Sequence, residues 1–293
     1  MSAYLRFVIA MLIFGSIGIF VQAVPLESAE IVASRTILGS VFLFGMLFLS
    51  RKKIDWIILK KNLLMLVLTG IVMGLNWLFL FAAYRYTSVS VATLVYYCAP
   101  VFVLFLSPIL LKERLTWPKI LGIGVALFGM VLVNGAHSGG PDPQKGFLFG
   151  LLAAIFYAGL MLLNKKISGV PPIEKTLVQL MSAAVIMTVY AGLTHEGPIV
   201  VLEGRALIAL LLIGILHTGI AYLLYISSMQ ELPGQTVALC SYIDPASALI
   251  FSAVLLQERL TLIQLLGAVC ILAGSAFGEL YKKKTNKVTE TAQ

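Results

Sequence analysis

The chain has 293 residues, 60% of them hydrophobic and 12% charged, with a formal net charge of +8, and its mean hydropathy is +0.99. Soluble domains of this size carry about a quarter charged residues, so the composition excludes a soluble globular enzyme. The positive charge does not indicate a nucleic-acid partner, because the basic residues flank apolar blocks and form no patch.

Apolar residues come in blocks of about 20, the length that crosses the hydrocarbon core of a bilayer. In chain order they predict an all-α polytopic membrane protein with ten transmembrane helices, at 5–24, 29–50, 62–84, 88–111, 118–135, 146–166, 174–194, 205–227, 234–256 and 260–280. Arg6, the apolar run and Val21-Gln22-Ala23 also fit a cleavable signal peptide. The repeat described below argues for keeping this helix, since its counterpart would otherwise be unmatched. Pro25, Pro118, Pro171, Pro172, Pro198 and Pro233 stand at or near the breaks, where prolines start helices and rarely continue them. Cys98, Cys240 and Cys270 lie inside apolar blocks without metal-ligand spacing, which reads as packing and no metal site.

Orientation follows from Lys and Arg placement. With the N-terminus inside, sixteen of the 21 basic residues are cytoplasmic: Arg6; Arg51, Lys52, Lys53, Lys60 and Lys61; Lys112, Arg114 and Lys119; Lys165, Lys166 and Lys175; and Lys282, Lys283, Lys284 and Lys287. Four are external (Arg85, Lys145, Arg205, Arg259), and Arg35 lies within a span. Both termini are therefore expected in the cytoplasm of a plasma-membrane protein.

A shift of 145 residues superimposes Leu110-Leu111-Lys112-Glu113-Arg114-Leu115-Thr116 on Leu255-Leu256-Gln257-Glu258-Arg259-Leu260-Thr261. Tyr97, Pro100, Leu104 and Ser107 match Tyr242, Pro245, Leu249 and Ser252, and Gly122 and Gly129 match Gly267 and Gly274. From Tyr97 to Gly129, 14 of 33 positions are identical. Five spans per half is an odd number, so residues 1–139 and 140–293 are read as inverted repeats. Such halves can exchange conformations and open a midplane site to each side in turn.

These paired Pro…Leu-x-Glu-Arg-Leu-Thr stretches resemble the drug/metabolite transporter superfamily, in its EamA-type branch of ten-helix proteins. Gly122-x-Gly124-x4-Gly129, Gly267-x6-Gly274 and the opening Ile13-Phe14-Gly15-Ser16, loosely echoed by Ile155-Phe156-Tyr157-Ala158, add to the likeness. The resemblance implies a central cavity lined by spans 1, 3, 4, 6, 8 and 9, with spans 5 and 10 peripheral. It implies transport of amino acids, sugars, nucleotide-related metabolites or drugs, without choosing among them.

Ionisable residues inside spans are costly and mark functional candidates. Asp244 reads as a cation-binding or proton-carrying carboxylate, or as one neutralised by Arg35 or bonded to backbone freed by Pro245; its first-half counterpart is Ala99. Arg35, with Gln179 as approximate counterpart, reads as a structural ion pair or as a site for a substrate carboxylate. His217 reads as a proton relay or as an interhelical hydrogen-bond contact. Asn76, Trp77, Tyr97, Tyr157, Tyr222 and Tyr242 offer rings and polar groups suited to a small amphipathic solute. Pro100 and Pro245 are expected mid-helix, as hinges or static kinks. Gly70-x3-Gly74, Gly146-x3-Gly150 and Gly274-x3-Gly278 predict close helix contact, with dimerisation as the sharper reading; a monomer is expected.

No Gly-x4-Gly-Lys-Ser/Thr run occurs, so nucleotide is not the direct driver, and no cofactor is expected. The sequence thus predicts a non-enzymatic secondary transporter of a small metabolite, first an amino acid or relative and in the export direction, driven by proton exchange or by the solute's own gradient. A lipid-carrier flippase is the alternative and an intramembrane enzyme the remote one.

Overall fold

The computed structural model describes residues 1–21, 23–51, 54–87, 92, 95–134, 141–195, 201–255 and 261–290. In chain order the helices are α1 (Ala3–Gly15), α2 (Ile17–Val21), α3 (Ser28–Leu49), α4 (Trp56–Tyr86), α5 (Ala99–Leu110), α6 (Trp117–Asn134), α7 (Pro143–Lys166), α8 (Pro172–Thr194) and α9 (Gly204–Leu212). A π-helical segment, Ile213–Ile220, leads directly into α10 (Ala221–Glu231); α11 (Gly234–Cys240), α12 (Ile243–Leu255) and α13 (Leu262–Glu290) follow. No strand occurs among the described residues.

Among the described residues, six continuous helical stretches are long and apolar enough to cross a membrane: Ala3–Val21, Ser28–Leu49, Trp56–Ala83, Pro143–Lys166, Pro172–Thr194 and Gly204–Glu231. Ala99–Leu110, Trp117–Leu132 and Leu265–Gly278 are shorter apolar helices. The predicted start of the fourth span at 88–91, Lys52, Lys53, and the Leu256–Leu260 part of the second motif copy lie outside the described residues.

Two helix starts precede the expected positions because acidic residues cap them. Asp55 Oδ1 accepts from the amides of Ile57 and Ile58 at 3.0 and 3.1 Å, so Lys60 and Lys61 are helical. Asp142 Oδ1 accepts from the Lys145 amide at 3.1 Å, and that bond with the adjacent ammonium holds its carboxyl below the usual range. Each cap satisfies amides that a helix N-terminus would otherwise leave open.

Packing is reciprocal across the 145-residue shift. α4 packs on α7 and α1 on α10; α4 on α8 and α3 on the π segment; α5 on α7 and α1 on α12. α3 with α8, and α6 with α13, are corresponding helices that pack on each other. Phe7, Ala10 and Met11 of α1 are buried in the largest apolar cluster with Tyr222, Tyr225 and Met229 of α10. Val41, Phe44 and Phe48 of α3 and Val185, Val189 and Leu193 of α8 are exposed, as lipid-facing side chains must be.

Glycines set the closest approaches. A Cβ on Gly122 would lie 2.6 Å from the Gly274 carbonyl oxygen, one on Gly274 would lie 2.6 Å from that of Gly122, and one on Gly129 would lie 2.5 Å from that of Gly267. Gly70 and Gly146 are equally tight, against Gln179 and Thr87. The small-residue stripes are therefore filled by this chain's own helices, as the close-contact reading expects.

Backbone atoms cannot give way as a flexible side chain can, so Gly122→Val should overpack α6 against α13 and cost about 1–3 kcal/mol. Thermal unfolding in detergent should show a lowered midpoint for Gly122→Val. Gly124→Val, with nothing within 4 Å of its Cβ position, should leave it unchanged.

Candidate functional site

Two broken helical stretches bring the candidate residues together. Turn residues Tyr97 and Cys98 precede α5, and turn residues Ser241 and Tyr242 precede α12. Pro100 is the second residue of α5 and Pro245 the third of α12. The expected mid-helix kinks are therefore helix breaks, with each proline in the first turn after the break. A proline there has no intrahelical amide bond to lose and its fixed φ suits the helix start.

The breaks meet one another. Tyr97 Oη donates to Asp244 Oδ2 at 2.9 Å. Tyr242 Oη donates to the Tyr97 carbonyl at 3.1 Å, and the two rings lie 6.3 Å apart. Asp244 sits in the first turn of α12, where the positive end of the helix dipole favours a carboxylate. Irregular backbone at membrane depth is tolerated where it is buried in protein, as these turns are.

An aromatic wall extends from this junction. Tyr96 stacks on Tyr157 at 5.2 Å and brings its hydroxyl within 3.5 Å of Asn76 Oδ1. Asn76 Nδ2 donates to the Ala153 carbonyl at 2.8 Å, tying α4 to α7. Trp77 meets Tyr222 edge-on at 6.1 Å, and Tyr222 lies 5.5 Å from Tyr225 and 6.3 Å from Phe14. The buried Tyr222 hydroxyl has no hydrogen-bond partner among the described residues.

Arg35, on α3, is 6% exposed. Its Nε donates to Thr218 Oγ1 at 2.8 Å, and its guanidinium carbon lies 4.6 Å from the Trp77 ring centroid, within cation–π range. Among the described residues no carboxylate lies within ion-pair distance of Arg35. The Arg35–Asp244 ion pair left open by the sequence is thus not formed.

His217 is fully buried on the π segment. Its Nδ1 is 3.1 Å from the Leu212 carbonyl, and its Nε2 is 3.0 Å from Ser16 Oγ, whose hydroxyl donates to the Ile13 carbonyl at 2.7 Å. Both His217 and Thr218 bond carbonyls five residues back, as the wider π turn allows, and such turns recur at functional sites. At Arg35's approximate counterpart, Gln179 Nε2 donates to Thr69 Oγ1 and Asn164 Oδ1, each at 2.8 Å.

The lysine-rich end of the bundle is cross-linked by polar contacts. Glu113 accepts from the amides of Gly234 and Gln235 at 2.6 and 3.0 Å, capping α11 from the loop that follows α5. Gln235 Nε2 donates to Ser107 Oγ at 2.8 Å. Arg6 pairs with Glu231, and Lys165 Nζ donates to the Met229 and Leu232 carbonyls.

Tyr97, Tyr157, Tyr242, Asp244 and Asn76 therefore share one polar and aromatic cluster through Tyr96. Arg35, Trp77 and Tyr222 form its continuation, while His217 bonds apart from both, with Ser16. Sequence reading missed Thr218 as the Arg35 partner and Glu113 as a cap. A threonine within a π turn carries no local signal, and the Glu-Arg-Leu-Thr repeat marked Glu113 without saying what it bonds.

An EamA-like transporter family model matches residues 1–135 and 144–277. The chain belongs to this family. It is 33% identical to the transporter YxxF of Bacillus subtilis (strain 168) over 98% of this chain and 93% of that one. It is 28% identical to a "Probable amino-acid metabolite efflux pump" of Escherichia coli (strain K12) over 70% of this chain and 73% of that one. A solved crystal structure superposes with a TM-score of 0.85 at 18% identity, over 95% of this chain and 98% of that chain, and supports the fold. This EamA-like chain is a multi-pass membrane transporter and not an enzyme.

Replacing Glu113 by Ala opens two amides of the α11 N-terminus at once. The loss of a helix cap costs about 0.5–2 kcal/mol. Glu113→Ala should lower the thermal midpoint in detergent, and Glu113→Gln, which keeps an acceptor, should restore part of it.

Proposed function

We propose that the chain moves a small metabolite, an amino acid or related compound, across the plasma membrane by alternating access, in the export direction. The carrying observation is the junction between the two broken helices, Tyr97 to Asp244 and Tyr242 to Tyr97. It gathers a carboxylate, phenols and stacked rings inside an apolar bundle, the mixture a small amphipathic solute needs.

The reciprocal packing supports ten spans in two inverted halves. Residues related by the shift meet in pairs, Trp77 with Tyr222 and Tyr97 with Tyr242, as expected at a two-fold axis between repeats. Discontinuous helices at the repeat interface are where such transporters hold their solutes. The bias of basic residues supports cytoplasmic termini, so the contacts of Glu113, Arg6 and Lys165 belong to the cytoplasmic side. Efflux of an amino-acid metabolite is supported by the likeness to the Escherichia coli efflux pump. Asp244, unpaired with any cation among the described residues, is the group we assign to proton coupling.

Liposomes holding the purified protein and loaded with labelled amino acids should release them faster than protein-free liposomes loaded alike, and a pH gradient should change the rate. Asp244→Asn should abolish the dependence on the gradient while leaving exchange measurable. The substrate class fails if no amino acid moves in either direction with or without the gradient. The coupling role fails if Asp244→Asn keeps full pH dependence.

A further inference from the structure

Among the described residues, the bundle buries one guanidinium, that of Arg35, without a counter-charge. A lone charge in an apolar interior is costly unless something neutralises it. Arg35 is 6% exposed, and the groups around it are neutral: Thr218 and His217 from the π segment, Trp77 from α4, Tyr222 from α10, and Tyr96 just before the first helix break. The imidazole of His217 spends one nitrogen on the Leu212 carbonyl and the other on Ser16.

The guanidinium is also fixed in orientation. The Thr218 hydroxyl donates to the Ile213 carbonyl at 2.8 Å, so its oxygen is free to accept from Arg35 Nε. Trp77 covers one face of the plane. What remains is the edge formed by the two Nη atoms, which has no protein partner among the described residues. That edge presents parallel N–H groups in the geometry that a planar carboxylate accepts in pairs.

We propose that Arg35 anchors a carboxylate of the transported solute, bound in bidentate fashion through its Nη edge. This rests on the transporter reading above and deepens it, because it states which part of the solute meets which residue. One guanidinium balances a single negative charge, which fits a monocarboxylate better than a dianionic phosphate. Trp77 and Tyr222 then flank the solute beside its carboxylate. Thr218 is a positioning residue that acts through Nε.

The test uses the full-length protein with Trp56→Phe and Trp117→Phe, which leaves Trp77 as the sole tryptophan and its emission as the reporter. Trp56 and Trp117 are largely exposed at 59% and 73%, so their loss leaves the core intact. The probes are L-leucine, 4-methylpentanoate (the same skeleton without the amine) and isopentylamine (the same skeleton without the carboxylate). They are followed by the remaining amino acids and further carboxylates that lack an amine. Emission and thermal midpoint should respond to L-leucine and 4-methylpentanoate and not to isopentylamine.

Arg35→Gln, which installs the residue found at the approximate counterpart, position 179, should weaken carboxylate binding at least tenfold. Arg35→Lys and Thr218→Val should weaken it less, and they carry the test if Arg35→Gln does not fold. The anchor is overturned if the amine binds as well as the acid, if carboxylate binding survives every one of these variants undiminished, or if no carboxylate binds at all. If carboxylates without an amine bind through Arg35 and no amino acid does, the anchor stands and the amino-acid reading falls.

Discussion

Lipid tails are as apolar as leucine, so the hydrophobic effect does not hold one transmembrane helix against another. This chain relies instead on close packing and on a few polar links between helices. The glycine faces of α6 and α13 bring backbone to backbone, and the tyrosines at the two helix breaks tie the centre. Removing water makes both devices necessary. A void between helices loses its dispersion contacts outright, and an unpaired polar group has no solvent to turn to.

The same constraint separates scaffold from site. Gln179 is a neutral amide whose Nε2 bonds both Thr69 and Asn164, although its buried Oε1 has no partner among the described residues. Arg35, its approximate counterpart in the first half, has one hydrogen-bond partner, Thr218, and one ring, Trp77. Pro100 and Pro245 start equivalent helices, yet only the second is preceded by a carboxylate, with alanine at position 99 opposite Asp244. Where the two halves agree, the residues build the bundle; where they differ, charge is left over. That leftover charge is the feature on which the proposed solute and proton roles rest.

The ends of the bundle work by a related logic. Glu113 lies in the first half and caps α11 in the second, so the repeated Glu-Arg-Leu-Thr motif bridges the halves at the lysine-rich end. Arg6 with Glu231 adds a second bridge there. Contacts of this kind are what the proposed alternating access requires, since each is a small number of bonds at a helix end and none is a packed core.

Much of the fold was legible in the chain, because the bilayer imposes a length on each apolar block and the repeat imposes a pairing on the blocks. Asp55 and Asp142 moved two helix starts outward because side-chain capping is short-range chemistry that a hydropathy window averages away. Charge in an apolar run marked Arg35, Asp244 and His217 as costly, and the 145-residue shift marked Pro100 and Pro245 as equivalent. Sequence by itself therefore determined the membrane class, the repeated motif and the candidate residues. Only the tertiary structure decided that the prolines follow breaks and do not kink continuous helices, that Arg35 pairs with Thr218 and not with Asp244, and that Tyr97 takes the carboxylate. Those outcomes depend on which side chains from distant segments come within 3 Å of each other, and sequence spacing does not carry that distance.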